Sequence, residues 1–159
     1  MAFDGTIPTP AQLADIEAVR QVKARYFRGI DAPDAELVRS ILAEDCVLDY
    51  MGCFTDPQTG EDFFPMLNVV IRGRASWVGG GVSSLGVISV HQGYHHEIAI
   101  TGESTAEAIW SMTDRMFMPE GHAYRLLEGF GNYHDTYERV GGRWYIKTSR
   151  LRRLKVVGR

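Results

Sequence analysis

Ala106-Glu107-Ala108-Ile109-Trp110-Ser111-Met112-Thr113-Asp114-Arg115-Met116 alternates with the two-residue period of a strand. Ala106, Ala108, Trp110, Met112, Asp114 and Met116 share one side. Glu107, Ser111, Thr113 and Arg115 share the other. Asp114 is therefore a carboxylate written into an apolar face. A buried charge must be paired, hydrogen-bonded or protonated, because leaving it bare costs several kcal/mol or more. Such groups mark functional sites, and they also occur as purely structural partners.

The strand signal extends in both directions. From Val87 onward the chain reads as strand to its end. Ile98–Thr101 and Ala106–Met118 are joined by Gly102-Glu103-Ser104-Thr105, and Tyr133–Val140 and Arg143–Val156 by Gly141-Gly142. Both connections are hairpin signals. Upstream the period changes. Thr9 is placed to cap a helix with Pro10 in its first turn. Leu13, Ile16, Val19, Val22, Tyr26 and Ile30 then recur at helical spacing up to Asp31-Ala32-Pro33. Asp34 can cap a second helix over 34–43, and Val47–Met51 reads as a short strand. Residues 52–62 read as a loop. Phe63, Phe64, Met66 and Leu67 suggest a lip, and Ala75–Val78 a short helix before Gly79-Gly80-Gly81.

Helices followed by long antiparallel strands predict an α+β fold. The expectation is a single cone-shaped domain over 9–157 behind a tail over 1–8. Its N-terminal helices would pack on a strongly curved antiparallel sheet enclosing a cavity. At 159 residues, with 45% hydrophobic and 23% charged residues, the chain suits one domain with a real core. A net charge of −3 gives no general electrostatic reason to bind nucleic acid or an acidic membrane. No apolar run reaches membrane-spanning length. Met1-Ala2-Phe3-Asp4-Gly5 lacks the start of a secretory signal. Cys46 and Cys53, the two cysteines, are expected as reduced thiols in a cytoplasm.

Tyr26 is in phase with the helical stripe and so points toward the sheet. Asp31 at the helix end reads on its own as a turn or cap residue. His91, His95, His96 and Glu97 invite a metal reading. Residues four apart on a strand, however, are roughly 13 Å apart, so His91 and His95 cannot share one ion without a bulge. No metal is expected. His91 is instead a candidate acid or base, oriented by a buried carboxylate such as Asp114. Gly129-Phe130-Gly131-Asn132 lacks the context of a dinucleotide fingerprint, and Gly79-Gly80-Gly81 that of a phosphate loop.

Several of these segments together resemble a known family. Asp15-Ile16-Glu17-Ala18-Val19 with Lys23-Ala24-Arg25-Tyr26-Phe27-Arg28 and Asp31 is similar to the opening helix of SnoaL-like proteins, in the nuclear-transport-factor-like cone superfamily. Val90-His91-Gln92-Gly93-Tyr94-His95 and Glu97-Ile98 resemble its central strand. Thr105-Ala106, Trp110 and Asp114-Arg115 resemble the next. Tyr133, Asp135, Tyr137, Gly142-Arg143-Trp144 and Arg153 resemble the last hairpin. Within that group the bile acid 7α-dehydratases are most similar and scytalone dehydratase more distant. Residues 51–82 are longer than the corresponding segment of the former and do not match it.

The resemblance implies a cofactor-independent lyase, a dehydratase, acting on a small apolar, polycyclic hydroxy-ketone-type molecule. In that reading His91 removes a proton and Asp114 orients it. Tyr26 donates to the developing enolate, Asp31 holds the tyrosine or the substrate, and Arg153 stabilises negative charge. Trp110, Met112 and Met116 line the wall, with His95 and Phe63 also assigned to substrate. The resemblance further implies a homo-oligomer, trimer or dimer. An isomerase or cyclase would use the same pocket. A non-catalytic binding or subunit-assembly module is the reading of another class.

Overall fold

Helix α1 (Pro10–Asp31) begins where Thr9 caps it. The Thr9 hydroxyl accepts from the Gln12 N–H, and the Gln12 side chain accepts in return from the Thr9 N–H at 2.9 Å. The computed structural model describes residues 5–79 and 81–159, so the first half of the expected tail and Gly80 of the glycine run lie outside the described residues. The buried stripe of α1 is Val19, Val22, Lys23, Tyr26 and Gly29. It departs from the expected stripe at Leu13, which is exposed, and at Lys23, which is not.

Helix α2 (Ala35–Ser40), capped by the Asp34 carboxylate, is shorter than its expected span of 34–43. The difference is a tertiary override. Strand β1 (Leu42–Asp49) starts at Leu42, and the Ile146 N–H donates to the Ile41 carbonyl at 2.9 Å. That contact ties the chain to the last strand before a further helical turn can form. β2 (Val70–Arg72) is a three-residue strand between the segments expected as lip and helix, where the sequence gives no strand signal. The short helix expected at 75–78 is a single 3-10 turn at Arg74–Ser76.

Four long strands follow: β3 (Ile88–Ile100), β4 (Thr105–Phe117), β5 (Leu126–Val140) and β6 (Arg143–Gly158). They form one sheet in the order β2-β1-β6-β5-β4-β3. Every pairing is antiparallel except β1 with β6, which is parallel, so the sheet is mixed and mostly antiparallel. β4 keeps its alternation from end to end, with Ala106, Ala108, Trp110, Met112, Asp114 and Met116 all buried. Helix α1 lies across this inner face, with Gly93 of β3 leaving room for the Phe27 ring. The core forms between them. Among the described residues no helix is long and apolar enough to cross a membrane.

Candidate active site

The C-terminal end of α1 is fastened to β3 by one carboxylate. Asp31 Oδ2 accepts from the His91 backbone N–H at 2.7 Å. Its Oδ1 accepts from the Ser89 hydroxyl at 2.9 Å and lies 2.6 Å from His91 Nδ1. A carboxylate accepts, so Nδ1 carries the ring proton and Nε2 the free lone pair. The imidazole also stacks on the Phe27 ring, 15° from parallel, which fixes its plane. Its side chain is 6% exposed, and it borders a cavity.

Asp114 sits on the other side of the ring, its Oδ2 at 3.8 Å from His91 Nε2. It belongs to Arg153, whose Nη1 and Nη2 donate to its two oxygens at 3.1 and 2.7 Å. This is a bidentate buried pair. The third guanidinium nitrogen, Nε, donates to the Cys53 carbonyl. Burial acts to lower the Arg153 pKa, but the Asp114 charge and hydrogen bonds outweigh it, so the net shift is upward and the group stays cationic. Gly129 faces Asp114 across the β4–β5 ladder, and a side chain there would collide with both Asp114 and Arg153. Gly129 therefore makes space for an ion pair, while Gly131 of the same run lets the Arg152 backbone of β6 come close.

The cavity measures about 110 Å³. The sheet supplies His91, Asp114, Met116, Tyr133, Leu151 and Arg153. Helix α1 supplies Tyr26 and Ile30. The segment from Tyr50 to Val82 supplies the remainder, with Tyr50, Phe54, Leu67 and Trp77 prominent. The Tyr26 and Tyr50 hydroxyls are 2.7 Å apart. Burial pushes both pKa values up, so the pair stays neutral near pH 7 and offers a donor. The polycyclic expectation meets a size limit here. A cavity of about 150 Å³ takes a single benzene ring, so this one is sized for one small ring.

The sequence-derived residues thus divide. Tyr26, His91, Asp114, Arg153 and Met116 converge on the cavity, with Asp31 directly behind His91. Two partnerships differ from expectation. Asp31 holds His91, not Tyr26, and Asp114 is held by Arg153. Four residues lie outside the wall. Trp110 donates to the Tyr137 hydroxyl at 3.1 Å, and the Met112 sulfur packs 3.6 Å from Arg153 Nη1. His95 sits exposed at a bulge in β3 with φ of 46°, and Phe63 packs on Tyr124. For Trp110 the reason is distance. Four residues along a strand put it roughly 13 Å from Asp114, so sharing a face does not mean sharing a pocket.

Tyr50, Trp77, Tyr133 and Ser89 were not foreseen as site residues. Tyr50 had a signal, since Cys46, Leu48 and Tyr50 alternate on the inward side of β1 and its end. Among the described residues no three His, Cys, Asp or Glu side chains are arranged to hold a metal ion.

Solved structures with this fold are numerous. A putative scytalone dehydratase from Novosphingobium aromaticivorans is 18% identical with a TM-score of 0.73, covering 93% of this chain and 89% of that one. Hexachlorocyclohexane dehydrochlorinase LinA-type3 from Novosphingobium barchaimii is 16% identical with a TM-score of 0.69, covering 92% and 91%. A Mycobacterium tuberculosis protein of unknown function is 21% identical with a TM-score of 0.70, covering 94% and 77%. At these identities the likeness shows the fold alone. The family model of the SnoaL-like domain matches residues 11–150, which takes in α1 from its second residue, β1 to β5, the first half of β6 and all of the cavity wall but Leu151 and Arg153. This chain belongs to the SnoaL-like family.

Proposed function

We propose that the protein is a cofactor-independent lyase that dehydrates a small apolar β-hydroxy ketone. The observation that carries the reading is the Asp31–His91 pair, which leaves one imidazole nitrogen with its lone pair at the edge of a cavity. His91 Nε2 takes the proton alpha to the carbonyl. The electron pair of that C–H bond passes to the enolate, and a hydroxyl proton of the Tyr26–Tyr50 pair hydrogen-bonds to its oxygen. The C=C bond forms as the β C–O bond breaks. The leaving hydroxide recovers the proton from the imidazolium and departs as water. Between those steps the imidazolium lies between two carboxylates, Asp31 at 2.6 Å and Asp114 at 3.8 Å. Both Asp114 oxygens are already held by Arg153, so Asp114 can favour the imidazolium without being the base. The names of two neighbours, a dehydratase and a dehydrochlorinase, are those of elimination enzymes and agree with this chemistry. They do not carry it, because one fold hosts many activities.

The test is a panel of cyclic β-hydroxy ketones, followed by the ultraviolet absorbance of the conjugated enone. Turnover should appear with at least one and fall by roughly 10²-fold or more in His91→Ala. Turnover unchanged in His91→Ala would refute the assignment. A double bond that migrates with no loss of water would replace dehydration by isomerisation on the same base.

A further inference from the structure

The cavity wall holds a polar group that this chemistry leaves unused. Trp77 follows the 3-10 turn Arg74–Ser76. Its backbone is fixed on both sides. The N–H donates to the Arg74 carbonyl at 3.1 Å, and the carbonyl accepts from Arg39 Nη1 at 3.0 Å. The indole lines the cavity and lies 6.3 Å from the Tyr50 ring, and the residue is 6% exposed. Its Nε1–H is buried and has no acceptor among the described residues.

The other two tryptophans set the standard. Trp110 Nε1 donates to the Tyr137 hydroxyl at 3.1 Å, and Trp144 Nε1 to Asp15 Oδ1 at 2.8 Å. Buried indole donors in this fold are thus paired, as buried polar groups in proteins generally are. The exception is the one in the cavity wall. A few rigid polar groups in a mainly apolar wall are how binding sites fix the orientation of a ligand. Apart from the His91 Nε2 lone pair, which the chemistry uses, the polar groups facing the cavity favour ligand acceptors over ligand donors. The Tyr26–Tyr50 pair has a hydroxyl proton to give, and both Asp114 oxygens are already taken by Arg153.

We infer that Trp77 Nε1 is a second anchor for the ligand, and that the ligand is a single-ring ketone carrying a further oxygen acceptor away from the carbon that His91 deprotonates. The ring count follows from the volume of about 110 Å³. The second oxygen follows from the unanswered indole. The inference rests on reading this cavity as the substrate site.

The probes are cyclohexanone and its para-dione, which differ by one acceptor. With labelled wild-type protein, the Trp77 indole resonance is assigned by through-bond correlation to its own backbone amide. The dione should bind about 10-fold more tightly than cyclohexanone and should shift that resonance in the wild-type protein, where no variant need fold. In Trp77→Phe the preference should disappear. Equal affinities, no binding of either ketone, an indole resonance that stays put, or a preference that survives in Trp77→Phe would each overturn the inference. The two readings fail separately. A dione that moves the indole, in a protein that dehydrates nothing, removes the proposed chemistry and leaves the anchor. Dehydration with no preference for the second oxygen does the reverse.

Discussion

Two buried ion pairs face inward from the same sheet, and they do different things. Asp114 meets Arg153 at 2.7 Å, and Asp135 meets Lys23 at 2.8 Å. All four side chains are at most 2% exposed. Around Asp135 the space is filled. The Tyr137 hydroxyl donates to it at 2.9 Å, and the Lys23 ammonium lies over the rings of Tyr26, Phe27 and Tyr133, closest to Tyr133 at 3.6 Å. Around Asp114 it is not, because a cavity and a histidine with a free nitrogen lie next to it. A buried carboxylate on an apolar face is therefore a weak sign of chemistry. The stronger sign is a titratable nitrogen that a second carboxylate orients from behind, with room for a reactant in front.

That contrast can be broken by mutation. The largest effect is expected at His91 and Asp31. His91→Ala should lower kcat/KM by roughly 10²- to 10⁴-fold. Asp31→Asn, which removes the charge and puts an amide NH2 where one of the two accepting oxygens was, so that Nδ1 can face a donor and take the wrong tautomer, should come close to it, and the double variant should be little worse than either single one. Additive losses would mean that the two groups act separately.

Lys23→Met should show the opposite pattern, weakening the fold while sparing turnover. Removing one partner of a buried pair costs about 3–5 kcal/mol, equivalent in a domain of this size to a melting temperature lower by about 10 °C. Turnover per folded molecule should stay within a few-fold of wild type. Adding Asp135→Leu should restore much of the stability, because an apolar pair replaces a stranded charge. A Lys23→Met protein of normal stability but lost turnover would move Lys23 into the site.

Gly129→Ala should have an intermediate effect that falls on both properties. The added methyl displaces the Asp114–Arg153 pair, which should cost about 1–3 kcal/mol in a denaturant titration. It should also lower turnover, whereas alanine at the turn glycine Gly60, which has open space around it, should leave turnover unchanged.

The smallest effect is a pH dependence shared by the two regions. Burial raises the pKa of Tyr26, Tyr50, Tyr133 and Tyr137. Each keeps its proton when folded but loses it near pH 10 when unfolded, so stability is fully present below pH 10 and declines above it. Half a pH unit above that point the loss is under about 1 kcal/mol for each tyrosine. Lys23 acts in the other direction. Burial lowers its pKa, with Asp135 offsetting part of the shift, so its contribution improves as pH rises toward the unfolded lysine value. The alkaline decline should accordingly be steeper in Lys23→Met than in wild type when unfolding free energy is followed against pH.

The parts of this picture legible in the sequence are those set by local period. The alternation of β4, the helical stripe of α1 and the glycine turns between strands all depend on neighbouring residues. What was hidden depends on partners far along the chain. Asp31 reads as a helix cap until β3 arrives 60 residues later to occupy it. Lys23 reads as a charged gap in an apolar stripe until Asp135, 112 residues on, makes it part of the core. The parallel pairing of β1 with β6 spans the whole domain, and β2 is too short to leave a pattern. Trp110 and Met112 show the converse error. Their face was read correctly, but a face says nothing about where along it the cavity opens.

The most direct test of the contrast needs no natural substrate. Cyclohexanone in heavy water exchanges its α hydrogens when a base removes them, and proton NMR follows the loss of signal. Wild-type and Lys23→Met protein should accelerate that exchange to similar extents, while His91→Ala and Asp31→Asn should leave it at the rate of buffer alone. Exchange at the wild-type rate in His91→Ala would contradict the account, because the cavity would then hold a base other than the one that Asp31 orients.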